Sequence, residues 1–276
     1  KNSAIATGKF FNLKENTTAL LCLPIQYIAG KMMLIRALTL GWHLDRIESN
    51  SQPLKDTEKE YDFSAMVPLQ LENSLNKIHQ IKKLIVGGGV VSNQLQEKLQ
   101  VISSEVFATY GMTETITHVA VKRLNNVKVQ PNYYQTLPNV TIYKDKRNCL
   151  VIDAEKVSEK IIFTNDVVDL ISDTKFQWLG RFDNVINSGG IKLHPEKIEE
   201  KLSKIIENRF FVAGIPDEKL GEKLILIIEG KEQKISFEDA NLSKYETPKQ
   251  IYFIDKFVET ETKKIQRTKT LDFINL

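Results

Sequence analysis

Short runs of alternating apolar and polar residues dominate the stretch from residue 131 to residue 179. Examples are VTIYKD (140–145), CLVIDA (149–154) and KIIFTNDVVDLI (160–171), with asparagine, aspartate and glycine at their boundaries. A period of two between polar boundaries is typical of short antiparallel strands. This stretch therefore predicts a small antiparallel barrel or sheet, and the rest of the fold has to be compatible with it.

The region before residue 131 alternates strands and helices. Residues 19–23 predict a buried strand that turns at Pro24, and helical spacing of apolar residues follows from about Ala29. A second strand ends in the glycines 87–89, and Ser92 is placed to cap the helix that comes next. These patterns predict a large α/β region of sheets with helices, to which the antiparallel stretch is joined.

The composition changes after Gly180. A hairpin is predicted with its turn at 188–190, and Pro195 occupies the first position of a helix. The inward face of that helix is predicted to consist of Ile198, Leu202, Ile205 and Ile206. We therefore expect a mixed α/β (α+β) protein with a large domain at 1–181 and a small mobile α+β domain at 182–276.

Net charge and cysteine usage exclude several classes of protein. The chain has 276 residues and a net charge of +3, from 38 basic and 35 acidic side chains, which is too small to indicate a polyanion partner for the whole molecule. Its two cysteines, Cys22 and Cys149, form neither a metal-binding pattern nor a disulfide framework, so a reducing cytoplasm is expected.

The sequence gives no sign of membrane insertion or of secretion. It has no run of 18 apolar residues, and its first residues lack the apolar segment of a signal peptide. The chain has no initial methionine and begins in what looks like the end of a helix. We therefore expect further residues upstream.

Three short segments carry side chains suited to a nucleotide. The glycines 87–89 would let a flat base lie against the backbone, although taken alone a plain strand-to-helix turn explains them better. Residues 110–115 combine a tyrosine for stacking, threonine hydroxyls at Thr113 and Thr115, and Glu114 as an oxygen ligand for Mg²⁺. Asp166, which follows a strand, could accept both hydroxyls of a ribose or simply cap a turn.

The sequence leaves more than one role open for Arg36 and for the basic tail at 261–270. Arg36 lies in an apolar helical stretch, where it either meets an anion or extends its charged end to solvent. The tail at 261–270 contains Lys263, Lys264, Arg267 and Lys269. It is a solvated tail, a nucleic-acid patch, or a segment that delivers one lysine to a phosphate.

Four stretches in the same order resemble the acyl-adenylate-forming superfamily, which includes acyl-CoA synthetases, peptide-synthetase adenylation domains and luciferases. YGMTET (110–115) is similar to the family's Tyr-Gly-x-Thr-Glu, and TND (164–166) stands where the family has Thr-Gly-Asp. GRFDNVINSGGIKLHPEKIE (180–199) is similar to Gly-Arg-x-Asp…Gly-Gly…Pro-x-x-Ile-Glu. PKQIYFIDKFVETETKKIQR (248–267) is similar to the C-terminal Pro-Lys…Gly-Lys-Ile-x-Arg.

The resemblance implies an ATP-dependent enzyme that forms an acyl-adenylate and then a thioester with coenzyme A. It implies that ATP or AMP, Mg²⁺ and coenzyme A bind, and it assigns a role to each matching residue. The nucleotide would contact Gly87, Gly88, Gly89, Tyr110, Gly111, Met112 and Thr113, and its ribose would contact Asp166 and Arg181. The catalytic residues would be Thr113 at the α-phosphate, Glu114 as the Mg²⁺ ligand, and Lys264 at the phosphate and carboxylate. Asp183 would be the hinge between the domains, with Gly189 and Gly190 against coenzyme A.

Three departures from the family pattern affect these expectations. The family's phosphate loop, rich in serine, threonine and glycine, is absent; ATGKF (6–10) is only superficially similar to it. Asn165 and Lys263 each replace a family glycine. Because the phosphate loop is absent, we expect a truncated form that holds the β- and γ-phosphates poorly.

The stretch LCLPIQYIAGKMMLIRALTLGWHL (21–44) resembles the o-succinylbenzoate–CoA ligases of menaquinone synthesis. That family has Leu-Pro…His-x-x-Gly and then an arginine in the next helix; here Tyr27 replaces the histidine, while Gly30 and Arg36 remain. The substrate has two carboxylates, and Arg36 would pair with the one that is not activated. The resemblance thus implies substrate contacts at Tyr27, Gly30 and Arg36.

Alternatives remain open at this point. The chain could be a CoA ligase for another small aromatic acid, or a catalytically impaired fragment or binding module of the family. We expect a small carboxylic acid as partner, no nucleic acid, no membrane span, and either a monomer or a homodimer.

Overall fold

The computed structural model describes residues 1–127, 132–260 and 264–274. Six α-helices are present in this part of the chain: α1 (Asn2–Phe11), α2 (Ile28–Leu40), α3 (Pro68–Asn73), α4 (Asn93–Leu99), α5 (Pro195–Leu202) and α6 (Arg267–Leu271). Their ends follow from the local sequence. Gly41, whose φ of 69° is left-handed, caps the C-terminal end of α2. The Ser92 hydroxyl caps α4 by accepting from the Leu95 amide at 3.2 Å.

Eleven strands form one large sheet in the order β2-β1-β3-β4-β5-β6-β7-β11-β10-β9-β8. They are β1 (Thr18–Leu21), β2 (His43–Arg46), β3 (Tyr61–Met66), β4 (Ile81–Val86), β5 (Glu105–Gly111), β6 (His118–Arg123), β7 (Tyr134–Thr136), β8 (Thr141–Lys144), β9 (Cys149–Asp153), β10 (Ile162–Ser172) and β11 (Lys175–Arg181). Strands β2, β1, β3, β4 and β5 pair in parallel, whereas β6 and β7 pair antiparallel to their neighbours. The antiparallel stretch expected from the sequence therefore continues the same sheet.

Both faces of the parallel half are covered. Successive strand residues alternate between two apolar clusters, with Leu84 on one face and Ile85 on the other. Helix α4 supplies Leu95 and Leu99 to the first cluster, and α2 supplies Met33 to the second. Two covered faces are typical of parallel sheets, which explains the nearly continuous apolar runs in these strands.

A second sheet contains β12 (Ile186–Ser188), β13 (Ile191–Leu193), β14 (Phe210–Asp217), β15 (Gly221–Glu229) and β16 (Gln250–Ile254). Alternation along β15 directs Leu224, Leu226 and Ile228 to one cluster and Ile225 and Ile227 to another. Helix α5 packs on the first cluster through Ile198 and Leu202.

The chain divides into two compact units. One contains residues 1–164 and 168–178, and the other contains residues 165–167 and 179–276. The domain boundary between residues 181 and 182 stays a prediction. Each unit has its own apolar clusters within the described residues.

One predicted element is shorter than expected. Helix α5 ends at Leu202, and Ser203 is its cap, so Ile205 and Ile206 lie beyond the helix. Ile206 is nevertheless buried in the same cluster as Ile198, because the loop after the helix turns it inward. The apolar spacing correctly identified a buried position but not the backbone conformation that buries it.

None of the helices in the described ranges is long and apolar enough to cross a membrane.

Candidate active site

The predicted nucleotide-binding segments of the first unit lie at one edge of the large sheet. Strands β4 and β5 are parallel neighbours, with Val86 opposite Ala108. The glycines 87–89 follow β4, and the loop of residues 112–117 follows β5. Ligands of α/β sheets bind outside the carboxyl ends of the strands, and this edge is such a position.

The structure gives different reasons for a glycine at positions 87, 88 and 89. A Cβ at Gly87 would lie 2.5 Å from the Thr109 hydroxyl oxygen, so strand β5 approaches too closely for a side chain. Gly88 has a φ of 79°, a left-handed conformation that favours glycine. Gly88 and Gly89 are exposed. The turn therefore presents a bare backbone surface, as a flat base would require.

Tyr110 is held by an aromatic cluster. Its half-buried ring meets Phe176 edge-on, with ring centres 5.1 Å apart, and lies 5.7 Å from the ring of Tyr134. Tyr134 and Phe176 stack on each other at 5.4 Å. These contacts fix the plane of the Tyr110 ring, which suits a stacking platform.

The loop after Tyr110 is tightly built. Strand pairing shifts register between Tyr110 and Gly111, and a Cβ at Gly111 would lie 2.5 Å from the Cα of His118. Residues Thr113–Thr115 form a 3₁₀ turn after Met112. Ile116, which follows, has a φ of 66°, a strained conformation for a β-branched residue.

The three polar side chains of this turn fall into two groups. Thr113 and Glu114 are exposed, as binding to a phosphate and a metal ion would require. Thr115 is fully buried; its hydroxyl accepts from the Met112 amide at 2.9 Å and lies 2.7 Å from the Thr117 carbonyl oxygen. The expectation that Thr115 donates to a phosphate is therefore wrong, because the loop itself uses this hydroxyl.

Arg36 is buried rather than extended to solvent, with only 1% of its surface exposed. Its Nε donates to the Thr7 hydroxyl at 3.4 Å, one terminal nitrogen lies 3.3 Å from His118 Nδ1, and the other lies 3.8 Å from Met33 Sδ. None of these partners is a carboxylate. Burial lowers the pKa of Arg36 to about 10, and burial together with the Arg36 charge lowers the pKa of His118 well below its usual value.

The two other predicted substrate residues have different environments. Tyr27 is 71% exposed, just before α2 begins. Gly30 is buried, and a Cβ there would lie 2.3 Å from the Pro24 carbonyl oxygen. Close packing of α2 against the preceding turn thus explains Gly30, and its contact with a substrate stays a prediction.

The predicted ribose residues belong to the second unit. Asp166 on β10 is buried, and a terminal nitrogen of Arg181 lies 3.7 Å from its carboxylate. Arg181 also lies 3.5 Å from Asp183, which accepts a hydrogen bond from the Asn165 amide at 3.2 Å. Asn165, which replaces the family glycine, thus donates a side-chain hydrogen bond to Asp183, the predicted hinge residue.

Lys264 is exposed at the base of a turn in the second unit. Its amide donates to the Thr260 hydroxyl at 3.1 Å, and its carbonyl accepts from the Thr260 amide at 2.9 Å. Lys263, which stands where the family has a glycine, lies outside the described residues. Three residues after Lys264, Arg267 donates to the half-buried carboxylate of Glu199 at 2.8 Å.

Gly189 and Gly190 form the turn between β12 and β13. Their φ angles are 59° and 82°, so both are left-handed, as the tight turns of two-residue hairpins require. Nothing lies within 4 Å of the position of a Cβ at Gly190. The hairpin explains both glycines, and their contact with coenzyme A stays a prediction.

Sequence reasoning did not identify His118 and Thr7 as polar partners of Arg36. They are separated from it by 82 and 29 residues, so no local spacing connects the three. The only local signal was a histidine at the start of an otherwise apolar strand, four residues after Glu114.

Comparison with known proteins gives consistent similarities. No protein-family profile matches the sequence. An acyl-CoA synthetase (AMP-forming)/AMP-acid ligase II-like protein from Dyadobacter fermentans is 38% identical, with 98% of this chain and 82% of that chain covered and a TM-score of 0.65.

A 2-succinylbenzoate–CoA ligase of Lactococcus lactis is 23% identical over 290 residues, which cover 96% of this chain and 64% of that protein. The chain therefore spans less than two thirds of the length of this curated relative. The o-succinylbenzoate CoA synthetase of Bacillus subtilis, in complex with its acyl-adenylate intermediate, is 19% identical with a TM-score of 0.81, over 97% of this chain and 63% of that one. At this identity the likeness concerns the fold.

Proposed function

Because the chain belongs to the acyl-adenylate-forming superfamily, we propose that it carries the site of an AMP-forming acid–CoA ligase. In the first step a carboxylate oxygen of the substrate attacks the α-phosphorus of ATP, and pyrophosphate leaves. In the second step the sulfur of coenzyme A attacks the acyl carbon, and AMP leaves. Positioning and charge neutralisation supply most of the catalysis in such phosphorus chemistry.

The sheet edge after β4 and β5 is the proposed nucleotide site. The adenine lies between the glycines 87–89 and the Tyr110 ring, whose plane is fixed by Phe176. Gly111 and Met112 continue this surface, and the exposed hydroxyl of Thr113 donates to the α-phosphate.

Glu114 is the proposed ligand of Mg²⁺. Within the described parts of the chain, no group of three or more His, Cys, Asp or Glu side chains could enclose a metal ion. A single exposed carboxylate suits Mg²⁺, which keeps several waters and shares its remaining positions with substrate phosphates. When bound, the ion would neutralise negative charge on the phosphate oxygens.

The second unit supplies the remaining roles. Asp166 accepts from the ribose hydroxyls, with Arg181 beside it, and Lys264 brings its ammonium to the α-phosphate and the substrate carboxylate. The small domain rotates about Asp183 between the two steps, and Gly189 and Gly190 leave room for the pantetheine of coenzyme A.

The proposed substrate is o-succinylbenzoate, and buried Arg36 is the observation that supports it most. A guanidinium without a counter-ion is expensive to bury, and its described partners are a hydroxyl, an imidazole and a thioether. A second carboxylate on the substrate would compensate this charge, whereas a monocarboxylic acid would not. The product would be o-succinylbenzoyl-CoA, in menaquinone biosynthesis.

A CoA ligase for another small aromatic acid is the second candidate. Tyr27 favours it, since this exposed residue stands where the o-succinylbenzoate–CoA ligases have a histidine.

We place the reaction in the cytoplasm. Both cysteines, Cys22 and Cys149, are buried and form no disulfide, which suits a reducing compartment.

A pyrophosphate-release assay that depends on coenzyme A tests this function, with o-succinylbenzoate compared with benzoate. Lys264→Ala should abolish pyrophosphate release but spare thioester formation from supplied acyl-adenylate, because only the first step needs the lysine at the α-phosphate.

Arg36→Ala should raise KM for o-succinylbenzoate at least tenfold, as loss of a charge-assisted contact of about 1.5 kcal/mol or more implies, and leave KM for ATP nearly unchanged.

Lys269→Ala is the matched control, because Lys269 is an exposed lysine of the same segment. It should behave like the unaltered protein. Equal effects of Arg36→Ala on both KM values, or loss of activity in Lys269→Ala, would contradict the assignment.

A further inference from the structure

The Arg36 cluster contains a definite arrangement of protons. All guanidinium nitrogens are donors, so His118 Nδ1, 3.3 Å from a terminal nitrogen of Arg36, has to be the acceptor. The ring is then neutral and carries its proton on Nε2, which lies 3.4 Å from the Thr7 hydroxyl oxygen. That hydroxyl in turn donates to the Ser3 carbonyl at 3.0 Å. Nδ1 of His118 thus accepts a hydrogen bond and Nε2 donates one, and the neutral ring supplies no negative charge to balance Arg36.

This choice of residue is unusual for a buried arginine. A buried guanidinium is normally paired with a carboxylate, which both orients and neutralises it. An imidazole accepts the same hydrogen bond but contributes no negative charge. His118 therefore fixes the direction of the Arg36 side chain and leaves its positive charge uncompensated.

The position of His118 connects this charge to the proposed nucleotide site. It is the first residue of β6 and pairs with Gly111, at the start of the loop that carries Thr113 and Glu114. A cavity of about 150 Å³ borders the cluster at His118 and Ser3 and has Val119, Leu137 and Val140 among its walls.

We propose that His118 is a specificity-determining positioning residue, which orients Arg36 without neutralising it so that the site selects a dicarboxylic acid. This inference rests on the proposed function, in which Arg36 pairs with the carboxylate that is not activated. A carboxylate of the protein at position 118 would occupy Arg36 permanently and remove the preference for a second substrate carboxylate.

The variants His118→Asp and His118→Asn form a matched pair that tests this role. In both, Oδ1 is as many bonds from the backbone as Nδ1 is in histidine, and it can accept from Arg36. The two variants are nearly identical in shape and differ in charge. Binding is measured on the 276-residue chain by ligand-observed NMR titration with o-succinylbenzoate and with 3-benzoylpropionate, which is the same acid without the ring carboxylate.

The unaltered chain should prefer o-succinylbenzoate at least tenfold. His118→Asn should keep this preference within about threefold, because a neutral acceptor is retained. His118→Asp should lose it, and thermal unfolding should show that this variant is at least as stable as His118→Asn. A purely structural role would instead lower stability and affinity together.

The possible results separate the two proposals. If His118→Asp is folded and still prefers the dicarboxylic acid, or if His118→Asn loses the preference, the role of His118 is refuted while the proposed substrate stands. If the unaltered chain binds neither acid or prefers neither, the proposed function fails, and the role of His118 falls with it.

Discussion

Thr113 and Thr115 are two residues apart and have the same side chain, yet the loop gives them opposite environments. Thr113 is exposed at the start of the 3₁₀ turn, whereas the Thr115 hydroxyl is buried beneath it. Removing the Thr115 hydroxyl leaves the Met112 amide without its hydrogen-bond acceptor. The Met112 amide keeps this acceptor when the exposed Thr113 hydroxyl is removed.

The two threonines should therefore separate stability from binding. Thr115→Val should lower the free energy of unfolding by about 1–3 kcal/mol, the cost of a lost buried hydrogen bond. Thr113→Val should change stability by less than about 0.5 kcal/mol and weaken binding of the acyl-adenylate. Denaturant unfolding and calorimetric titration would measure the two effects. A stable Thr115→Val protein would contradict the role of the buried hydroxyl.

His118 should also produce a pH dependence of stability. Its folded pKa lies well below the ordinary 6.5, so the unfolded chain takes up a proton at this residue before the folded one does. The stabilisation is therefore present above pH 6.5 and is lost as the pH falls below it, by up to about 1.4 kcal/mol per pH unit.

Urea unfolding between pH 7.5 and pH 5 should show the free energy of unfolding decreasing as the pH falls. In His118→Asn the part of this decrease that is due to His118 should be absent. The other three histidines, His43, His79 and His194, remain in both proteins, so the difference isolates His118. Parallel pH profiles of the two proteins would show that His118 does not titrate in this way.

At the scale of elements, a half-buried ion pair joins two of the signature stretches within the second unit. Glu199 on α5 accepts from Arg267 and from the Val212 amide, and Arg267 also lies over the Phe211 ring. Burial is the main influence on Glu199 and raises its pKa, despite the opposing effect of Arg267. The pair fixes the start of α6, three residues after Lys264.

Arg267→Met should destabilise the protein by about 1–3 kcal/mol, because it leaves the half-buried carboxylate of Glu199 without its charged partner. The double variant Glu199→Leu with Arg267→Met should cost less than the two single variants summed, by at least about 1 kcal/mol. Lys197→Met, which removes a more exposed ion pair of α5 with Glu200, should cost less than about 1 kcal/mol. Additive effects in chemical unfolding would argue against the coupling.

Local signals predicted most of the elements and the loop that carries the proposed catalytic groups. The cap at Ser92, the proline at the start of α5 and the glycine turn at 188–190 are encoded within a few residues, and the structure contains all three. The end of α5 was predicted too late, because Ile206 belongs to the same buried cluster as Ile198 although the helix ends at Leu202.

At the scale of the whole molecule, the limits of prediction follow sequence separation. The residue types of the loop at 110–115 point to a phosphate because they are consecutive. The partners of Arg36 come from α1 and β6, and only the folded sheet brings them together. That Arg36 is buried beside a histidine and not beside an acid therefore required the structure.

The order of strands in the large sheet has a consequence for biosynthesis. From β2 to β7, each strand that leaves the ribosome can pair with one already made; β2 and β3 both pair with β1. After β7 the order reverses, because β11 lies next to β7 and β8 is at the far edge. Strands β8, β9 and β10 therefore have no place in the growing sheet until residues 175–181 have been translated. Strand β11 then joins β8, β9 and β10 to the seven strands made before them.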